Sequence, residues 1–277
     1  MRVAVSGATG FVGSAIAREL TRRGNRVVAL TRREPPGPAM EWRRYDLREA
    51  PDSGLLAGVD AVVHCAYDET APLDDVEALD ALLELARAAG ARFVFVSSLA
   101  SSGSAHSTYG LAKHRAESRL DLARDLVVRP GLVVGDGGLF ENLASTIRRW
   151  GLAPVFDGGR QPVYVIGVGQ LAVAVAALAT RGKAGLYVLA SPEPIALADL
   201  YRLIAARAGV QLRLVPVPYG VALAAVACLE RLGIRLPVSS ESLRGIANLA
   251  PVRVPSYEGT EFVFSDAAAA IDAVGTS

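Results

Sequence analysis

The 277-residue chain is apolar and nearly neutral. Hydrophobic residues make up 51% of it, and 29 basic residues against 28 acidic ones leave a net charge of +1. This balance indicates no surface for nucleic acid or for anionic membranes. No uncharged apolar run reaches the roughly 18 residues that cross a bilayer. The length suits one large α/β domain with a smaller lobe, and we expect a small-molecule substrate.

The two cysteines and the start of the chain bear on location. Cys65 and Cys228 lie far apart and form neither a disulfide framework nor a metal-binding cluster. The chain opens directly on a predicted strand at 2–5, so we expect no signal peptide. The most apolar segment, 217–229, is predicted to be a buried or an interface helix. These features predict a cytoplasmic protein without a bound metal.

The first 130 residues alternate short apolar runs with helical segments, which is typical of a parallel sheet with crossover helices. The runs are apolar throughout, as expected for strands that helices cover on both faces. We therefore predict an α/β, Rossmann-type doubly wound parallel sheet of about seven strands. The predicted strands are 3–5, 26–30, 41–45, 61–65, 92–96 and 126–129, and the predicted helices are 12–23, 73–89 and 108–122.

The pattern loosens after Pro130. We predict helices at 140–150 and 171–179, a strand at 162–166, and a seventh strand of the main sheet at 186–189. The rest mixes two or three helices with short extended pieces such as 211–217. We expect residues 1–190 to form the dinucleotide-binding domain, with 138–165 partly contributing to a small substrate lobe. Residues 191–277 form that lobe, placed at the carboxyl edge of the sheet, where such sheets bind ligands.

A glycine-rich segment separates the first predicted strand from the first predicted helix. Its glycines allow a tight turn and a close approach of the backbone to a pyrophosphate, which the amides at the helix start can bind. The strand before it and the helix after it favour a dinucleotide motif over a mere glycine-rich turn. The residues predicted to bind the cofactor here are Gly7, Thr9, Gly10, Phe11, Val12 and Gly13.

The end of the second predicted strand bears on the choice of dinucleotide. NAD sites usually place an acidic residue there to hold the ribose hydroxyls. This chain has Thr31, Arg32 and Arg33 instead, and two guanidinium groups can hold a 2′-phosphate. We therefore predict NADP(H), while NAD(H) stays an alternative because Glu34 could serve the ribose.

Tyr109 and Lys113 are four residues apart and so lie on one face of the predicted helix. A tyrosine, with a pKa of about 10, is a poor acid or base at neutral pH, and a neighbouring ammonium favours its phenolate form. The same lysine could also bind the nicotinamide ribose. Ser97 and Ser98 follow the fifth predicted strand, where a hydroxyl can orient the substrate oxygen. We predict that Ser98, Tyr109 and Lys113 are catalytic.

Together these segments resemble the short-chain dehydrogenase/reductase superfamily, and specifically its extended branch, the NAD-dependent epimerase/dehydratase family. The resemblance is good over 2–137 and loose beyond it. Further matching segments are Asp46-Leu47, His64-Cys65-Ala66, Phe93 to Ser98, Tyr109 to Glu117, and Arg129-Pro130-Gly131 through Gly135. The resemblance implies additional cofactor contacts from Asp46, Leu47, Cys65, Ala66, Tyr67, Tyr109, Lys113, Pro130 and Val133.

The chain also departs from the family pattern. Asp75 stands where the family tends to have Asn. Only ten residues separate Ser98 from Tyr109, so the loop that often covers a nucleotide-sugar is short. Ser98-Leu99-Ala100 replaces the Thr-Asp-Glu of the sugar-nucleotide dehydratases. Without that acid, we do not expect a dehydratase.

The expected reaction is hydride transfer between the nicotinamide and a carbonyl or secondary alcohol of a small molecule. One alternative is a sugar or sugar-nucleotide epimerase that oxidises its substrate transiently. Another is a cofactor-sensing regulator without catalysis, although such proteins typically lose the Tyr or the Lys. His106 could act as an alternative acid. An epimerase would be favoured by a diphosphate site built from Arg148, Arg149, Arg160, Arg202 and Arg207.

The family resemblance also implies a homodimer. Its members form a four-helix interface from the helices that correspond to 73–89 and 108–122. The apolar face of the first helix would serve either the core or the partner. Its members are Leu79, Leu82, Leu83 and Ala86.

Overall fold

The computed structural model describes residues 1–35, 40–68, 71, 74–103, 105–232, 239–247, 251–252, 254–255, 262 and 264–274. The strands are β1 (Arg2–Ser6), β2 (Arg26–Thr31), β3 (Glu41–Arg44), β4 (Ala61–His64), β5 (Arg92–Val96), β6 (Leu126–Pro130), β7 (Leu132–Val134), β8 (Leu152–Val155), β9 (Pro162–Val163), β10 (Val165–Gly167), β11 (Gly185–Leu189), β12 (Ile195–Ala196) and β13 (Arg213–Pro216). The α-helices are α1 (Phe11–Arg22), α2 (Asp74–Ala88), α3 (Thr108–Glu117), α4 (Gly138–Trp150), α5 (Val168–Arg181), α6 (Leu197–Ala208), α7 (Tyr219–Arg231), α8 (Ser240–Ala247) and α9 (Ala267–Asp272). Among these helices, none has the length and apolar character to traverse a bilayer.

Seven of these strands form one sheet in the order β3-β2-β1-β4-β5-β6-β11. In this order, every pair of neighbouring strands from β3 through β6 is parallel. This confirms the predicted doubly wound fold, including the seventh strand. Strand order reverses between β1 and β4, which leaves a crevice at their carboxyl ends. Ser6, the last residue of β1, is in register with Leu30 on one side and His64 on the other.

Helices cover both faces of the sheet, which is why its central strands are apolar throughout. Helix α1 packs on α5, and α2 packs on α3 and β5. The apolar face of α2 is fully committed to the core of the chain. Of the two roles open to that face, the core role is therefore correct, and the homodimer stays a prediction. The side chains concerned are Leu79, Leu82, Leu83 and Ala86, none of them more than 8% exposed.

The chain divides into two compact units. The first consists of residues 1–103, 108–129 and 168–188, and the second of 104–107, 130–167 and 189–277. Residues 130–167 thus belong to the second unit together with those from 189 onward.

The described residues of the second unit form three two-stranded pairings. β7 pairs with β10 and β8 with β13 in parallel, and β9 pairs with β12 antiparallel. Sequence patterns did not predict β7 or β8. The predicted strand at 162–166 is divided in the structure into β9 and β10, which pair with different partners.

Two predicted helices differ from the structure. The predicted helix 108–122 ends at Glu117, where the Ser118 hydroxyl donates to the carbonyl of Arg115 at 2.7 Å and the chain turns. The predicted helix 217–229 is α7, which contains no buried residue, and its Val221 is 60% exposed. The buried alternative for that helix is therefore wrong, because an apolar composition without an amphipathic pattern does not specify which face is covered.

Candidate active site

The glycine loop joins β1 to α1 by backbone contacts alone. Gly7 has a φ of 66°, in the left-handed region, and its amide donates to the carbonyl of Leu30 at 3.1 Å. A Cβ on Gly13 would lie 2.2 Å from the carbonyl oxygen of Gly7, so the first turn of α1 packs directly on the loop. The N-cap residue, Gly10, offers no capping side chain, and the first turn holds no acidic residue. The loop therefore suits a phosphate anion at the amide end of α1.

A buried hydrogen-bond cluster joins the ends of β1 and β4. The Ser6 hydroxyl oxygen accepts from the amides of Cys65 and Ala66, both at 3.1 Å, and lies 2.8 Å from Nδ1 of His64. Because both lone pairs of that oxygen are engaged, its proton is donated to Nδ1. The proton of the neutral ring then sits on Nε2. Burial, reinforced by the charge of Lys113, lowers the pKa of His64 to about 3, so the ring stays neutral.

This cluster holds the segment after β4 against the glycine loop. A Cβ on Gly7 would lie 3.0 Å from the amide nitrogen of Ala66. The neighbouring Cys65 has its pKa raised to about 12 by burial, so its thiol stays protonated. Sequence patterns placed His64 in a motif but did not reveal its bond to Ser6.

Helix α3 places Lys113 in a cage of aromatic rings. The side chain is nearly buried, and Nζ donates to the carbonyl of Val96 at 3.1 Å. Nζ lies 4.8 Å from the ring centroid of Phe95, 5.3 Å from that of Tyr67 and 5.8 Å from that of Tyr109. The rings of Tyr67 and Tyr109 meet edge-on at 5.0 Å. Cation–π attraction can stabilise the ammonium at this depth, directly beside the predicted catalytic tyrosine.

The two serines after β5 have different environments. Ser97 is buried, and its hydroxyl donates to Oε1 of Glu117 at 2.5 Å. Glu117 also accepts from Nε of Arg129 at 2.9 Å, so this cluster ties β5, α3 and β6 together. Ser98 is only partly buried, and its hydroxyl oxygen accepts the amide of Ala100 at 3.1 Å. Of the pair, Ser98 is the one available to a substrate.

The end of β2 presents two arginines to solvent. Thr31 is buried, and its hydroxyl donates to the carbonyl of Arg33 at 2.7 Å. The side chains of Arg32 and Arg33 are exposed, and neither forms an ion pair within the described part of the chain. Glu34 is exposed beside them. The cationic pair is therefore available for an anionic group of a ligand.

The segments after β3 and β4 are connected by an ion pair. Nε of Arg48 donates to Asp68 at 2.8 Å, and the amide of Arg48 donates to Asp46 at 3.1 Å. Leu47 packs against the core of the first unit. Two predicted cofactor residues, Asp46 and Leu47, thus lie on a segment that the Arg48–Asp68 pair holds in place.

The remaining predicted site residues are placed as follows. Pro130 is buried at the end of β6, and Val133 lies half-buried in β7 of the second unit. His106 is exposed in that unit as well. The side chain of Asp75 lies outside the described residues.

The fold, the glycine loop and the Tyr109–Lys113 pair are similar to those of the extended short-chain dehydrogenases. A model of the NAD dependent epimerase/dehydratase family matches residues 3–125. This match confirms the predicted resemblance over that part of the chain.

Similar proteins include a ceramide reductase from Caulobacter vibrioides, 34% identical over 165 residues. The match covers 52% of this chain and 51% of that protein, so it spans about half of each. The structure of gox2253 superposes with a TM-score of 0.72 at 24% identity and covers 97% of this chain and 95% of that one. MoeE5 in complex with UDP-glucose and NAD gives a TM-score of 0.65 at 22% identity, over 79% of this chain and 85% of that one. Both structures agree in fold.

Proposed function

We propose that the chain is an NADP(H)-dependent oxidoreductase that transfers a hydride between the nicotinamide and a carbonyl or secondary alcohol of a small molecule. The observation that carries this proposal is the nearly buried ammonium of Lys113, 5.8 Å from the ring centroid of Tyr109 on the same helix. A buried charge is costly, so its retention beside an ionisable tyrosine favours a catalytic role over a structural one.

The residues present fit a dinucleotide. The glycine loop leaves its backbone open to a pyrophosphate, and the exposed Arg32 and Arg33 can hold a 2′-phosphate. When bound, the cofactor supplies or accepts the hydride. For the chemical step, Lys113 favours the phenolate form of Tyr109, and the Tyr109 hydroxyl moves a proton to or from the substrate oxygen. Ser98 orients that oxygen by a hydrogen bond.

The arginines of the second unit favour net redox chemistry over epimerisation. Arg148, Arg202 and Arg207 pair with carboxylates of the same unit, and Arg149 lies over the ring of Trp150. A preformed diphosphate site would leave several of these guanidinium groups uncommitted. The name of the Caulobacter relative, a reductase, agrees with this choice.

The test uses Tyr109→Phe, with Tyr187→Phe as a matched control on β11, where the hydroxyl donates to a backbone carbonyl at 2.9 Å. With any carbonyl substrate that supports NADPH oxidation, we expect Tyr109→Phe to lower turnover by about 10²–10⁴. Dinucleotide affinity should stay nearly unchanged, since it depends on the glycine-loop amides. Ser98→Ala should be milder, and Tyr187→Phe should be neutral.

Two outcomes would contradict the proposal. Full activity in Tyr109→Phe would assign the proton transfer to another acid, with His106 the first to test. Interconversion of sugar epimers without net NADPH oxidation would identify an epimerase instead.

A further inference from the structure

A cavity of about 570 Å³ lies at the amino edge of the seven-stranded sheet, within the first unit. Its lining comes from the residues that immediately precede or begin β4, β5, β6 and β11, together with the end of α2. The glycine loop and the catalytic pair follow β1 and β5, at the opposite edge. The cavity is therefore separate from the candidate active site.

The side chains around this cavity carry an excess of positive charge. Arg87, Arg92, Arg124 and Lys183 line it, and Asp60 is the acidic residue among its lining. Arg124 and Lys183 have no side-chain hydrogen bond or ion pair within the described residues. The charges of these two side chains are therefore open to an anion in the cavity.

The other two cations are held in fixed positions. Arg87 forms a two-pronged ion pair with the fully buried Asp125, and its Nη1 lies 2.6 Å from Oδ1. Arg92 donates to the carbonyl of Gly182 at the end of α5. Because this bond is to a neutral group, it leaves the charge of Arg92 uncompensated. Guanidinium groups held in place beside cations that have no ion pair are an arrangement that suits an anion with several oxygens.

We infer that this cavity is a second binding site, for a small polyanion that carries phosphate or closely spaced carboxylate groups. Its volume falls in the range of small-molecule sites, about 300–1,000 Å³. Such sites are usually lined by apolar side chains, whereas five of the eleven residues that line this one are charged. An uncharged ligand would leave the charges of Arg92, Arg124 and Lys183 unneutralised, whereas a polyanion would neutralise them.

The test is calorimetric titration of the protein with pyrophosphate at low salt, in the presence of excess NADPH. The dinucleotide occupies the glycine loop and so removes that competing phosphate site. We expect Arg124→Gln/Lys183→Gln to weaken pyrophosphate binding by about tenfold or more. We also expect the affinity of the unmodified protein to fall as salt is raised.

The matched control is Arg18→Gln/Arg149→Gln, which removes two exposed charges that do not line the cavity. It should bind pyrophosphate like the parent chain. Equal weakening in both double variants would show a general charge effect and overturn the inference. Undetectable binding at millimolar pyrophosphate would overturn it too. The comparison between variants does not depend on hydride transfer, so a failure of the proposed activity would leave this result interpretable.

Discussion

The two edges of the sheet use charge in different ways. At the carboxyl edge, Lys113 is buried among aromatic rings and donates to the backbone carbonyl of Val96, and the nearby His64 is kept neutral. At the amino edge, Arg87 is neutralised by Asp125. Burying an ammonium costs free energy, whereas removing one partner of the Arg87–Asp125 pair would leave a buried charge unpaired. Mutations at the two edges should therefore separate activity from folding.

The largest effect is expected at Lys113. Lys113→Met should lower turnover by about 10²–10⁴, because Tyr109 loses the charge that favours its phenolate. It should also weaken the dinucleotide, since the ammonium is proposed to hold the ribose. The free energy of unfolding should not fall, because a buried charge is replaced by an apolar chain of similar length. Steady-state kinetics, cofactor titration and urea denaturation would measure all three.

Lys113→Arg is the conservative control. It keeps a charge but not the compact ammonium that fits between the rings. If the free energy of unfolding of Lys113→Met fell by as much as its activation free energy rose, Lys113 would be structural. The two edges would then not differ in how they use charge.

The reverse pattern is expected at Asp125. Asp125→Asn removes the partner of Arg87 and should lower the free energy of unfolding by about 2–3 kcal/mol. This is below the 3–5 kcal/mol usual for a broken buried pair, because Arg87 is partly exposed. Turnover should stay near that of the parent chain. Asp199→Asn, which breaks an exposed pair with Arg202, should cost at most about 1 kcal/mol. If Asp125→Asn lost turnover at a temperature at which it is folded, the two edges of the sheet would not separate activity from folding.

The sequence predicted the first unit well because its central strands are local apolar runs. Residues 92–96 illustrate this, since β5 begins and ends there as predicted. The short strands of the second unit were missed for a physical reason. β7 has three residues and pairs with β10, and β8 has four residues and pairs with β13, far along the chain. Such strands are defined by distant partners and not by a period of their own.

At the candidate site, the sequence identified residue types but not their contacts. Tyr109 and Lys113 followed from their spacing, whereas the contact of Lys113 with Phe95 depends on how α3 lies on the sheet. The sequence also did not show that Ser97 and Ser98 lie in different environments. One signal was present, because Glu117 lies four residues after Lys113 and so on the same sheet-facing side of α3. A buried acid there requires a donor, and Ser97 is one.

The cofactor preference is expected to depend on exposed charge at the carboxyl edge. Arg32→Ala/Arg33→Ala should remove most of a preference for NADPH over NADH, at about 1.5–3 kcal/mol for each charged hydrogen bond lost. Affinity for NADH should change little. Calorimetric titration with both dinucleotides would measure this. Arg18→Ala, on an exposed face of α1, is the control. Equal affinities in the parent chain would show that the two arginines do not select the cofactor.

The smallest effect concerns the buried ring of His64. Its pKa is about 3 in the folded chain against 6.5 as the reference value, because burial disfavours the charged form. Acid therefore protonates the unfolded chain first. The contribution of neutral His64 to the free energy of unfolding is fully present above about pH 6.5, and it is lost as the pH falls from there toward 3.

Between pH 7 and pH 5, this loss should amount to about 2 kcal/mol of the free energy of unfolding. His64→Asn keeps an acceptor for the Ser6 hydroxyl but cannot titrate, so its stability should fall less over the same interval. Urea denaturation of both chains at pH 7, 6 and 5 would measure the difference. The interval stops at pH 5 because Glu19, whose pKa is lowered to about 2 by its hydrogen bond with Arg22, adds its own dependence below about pH 4.5. Parallel curves for the two chains would mean that His64 is not held neutral by burial, and that the carboxyl edge tolerates a second positive charge beside Lys113.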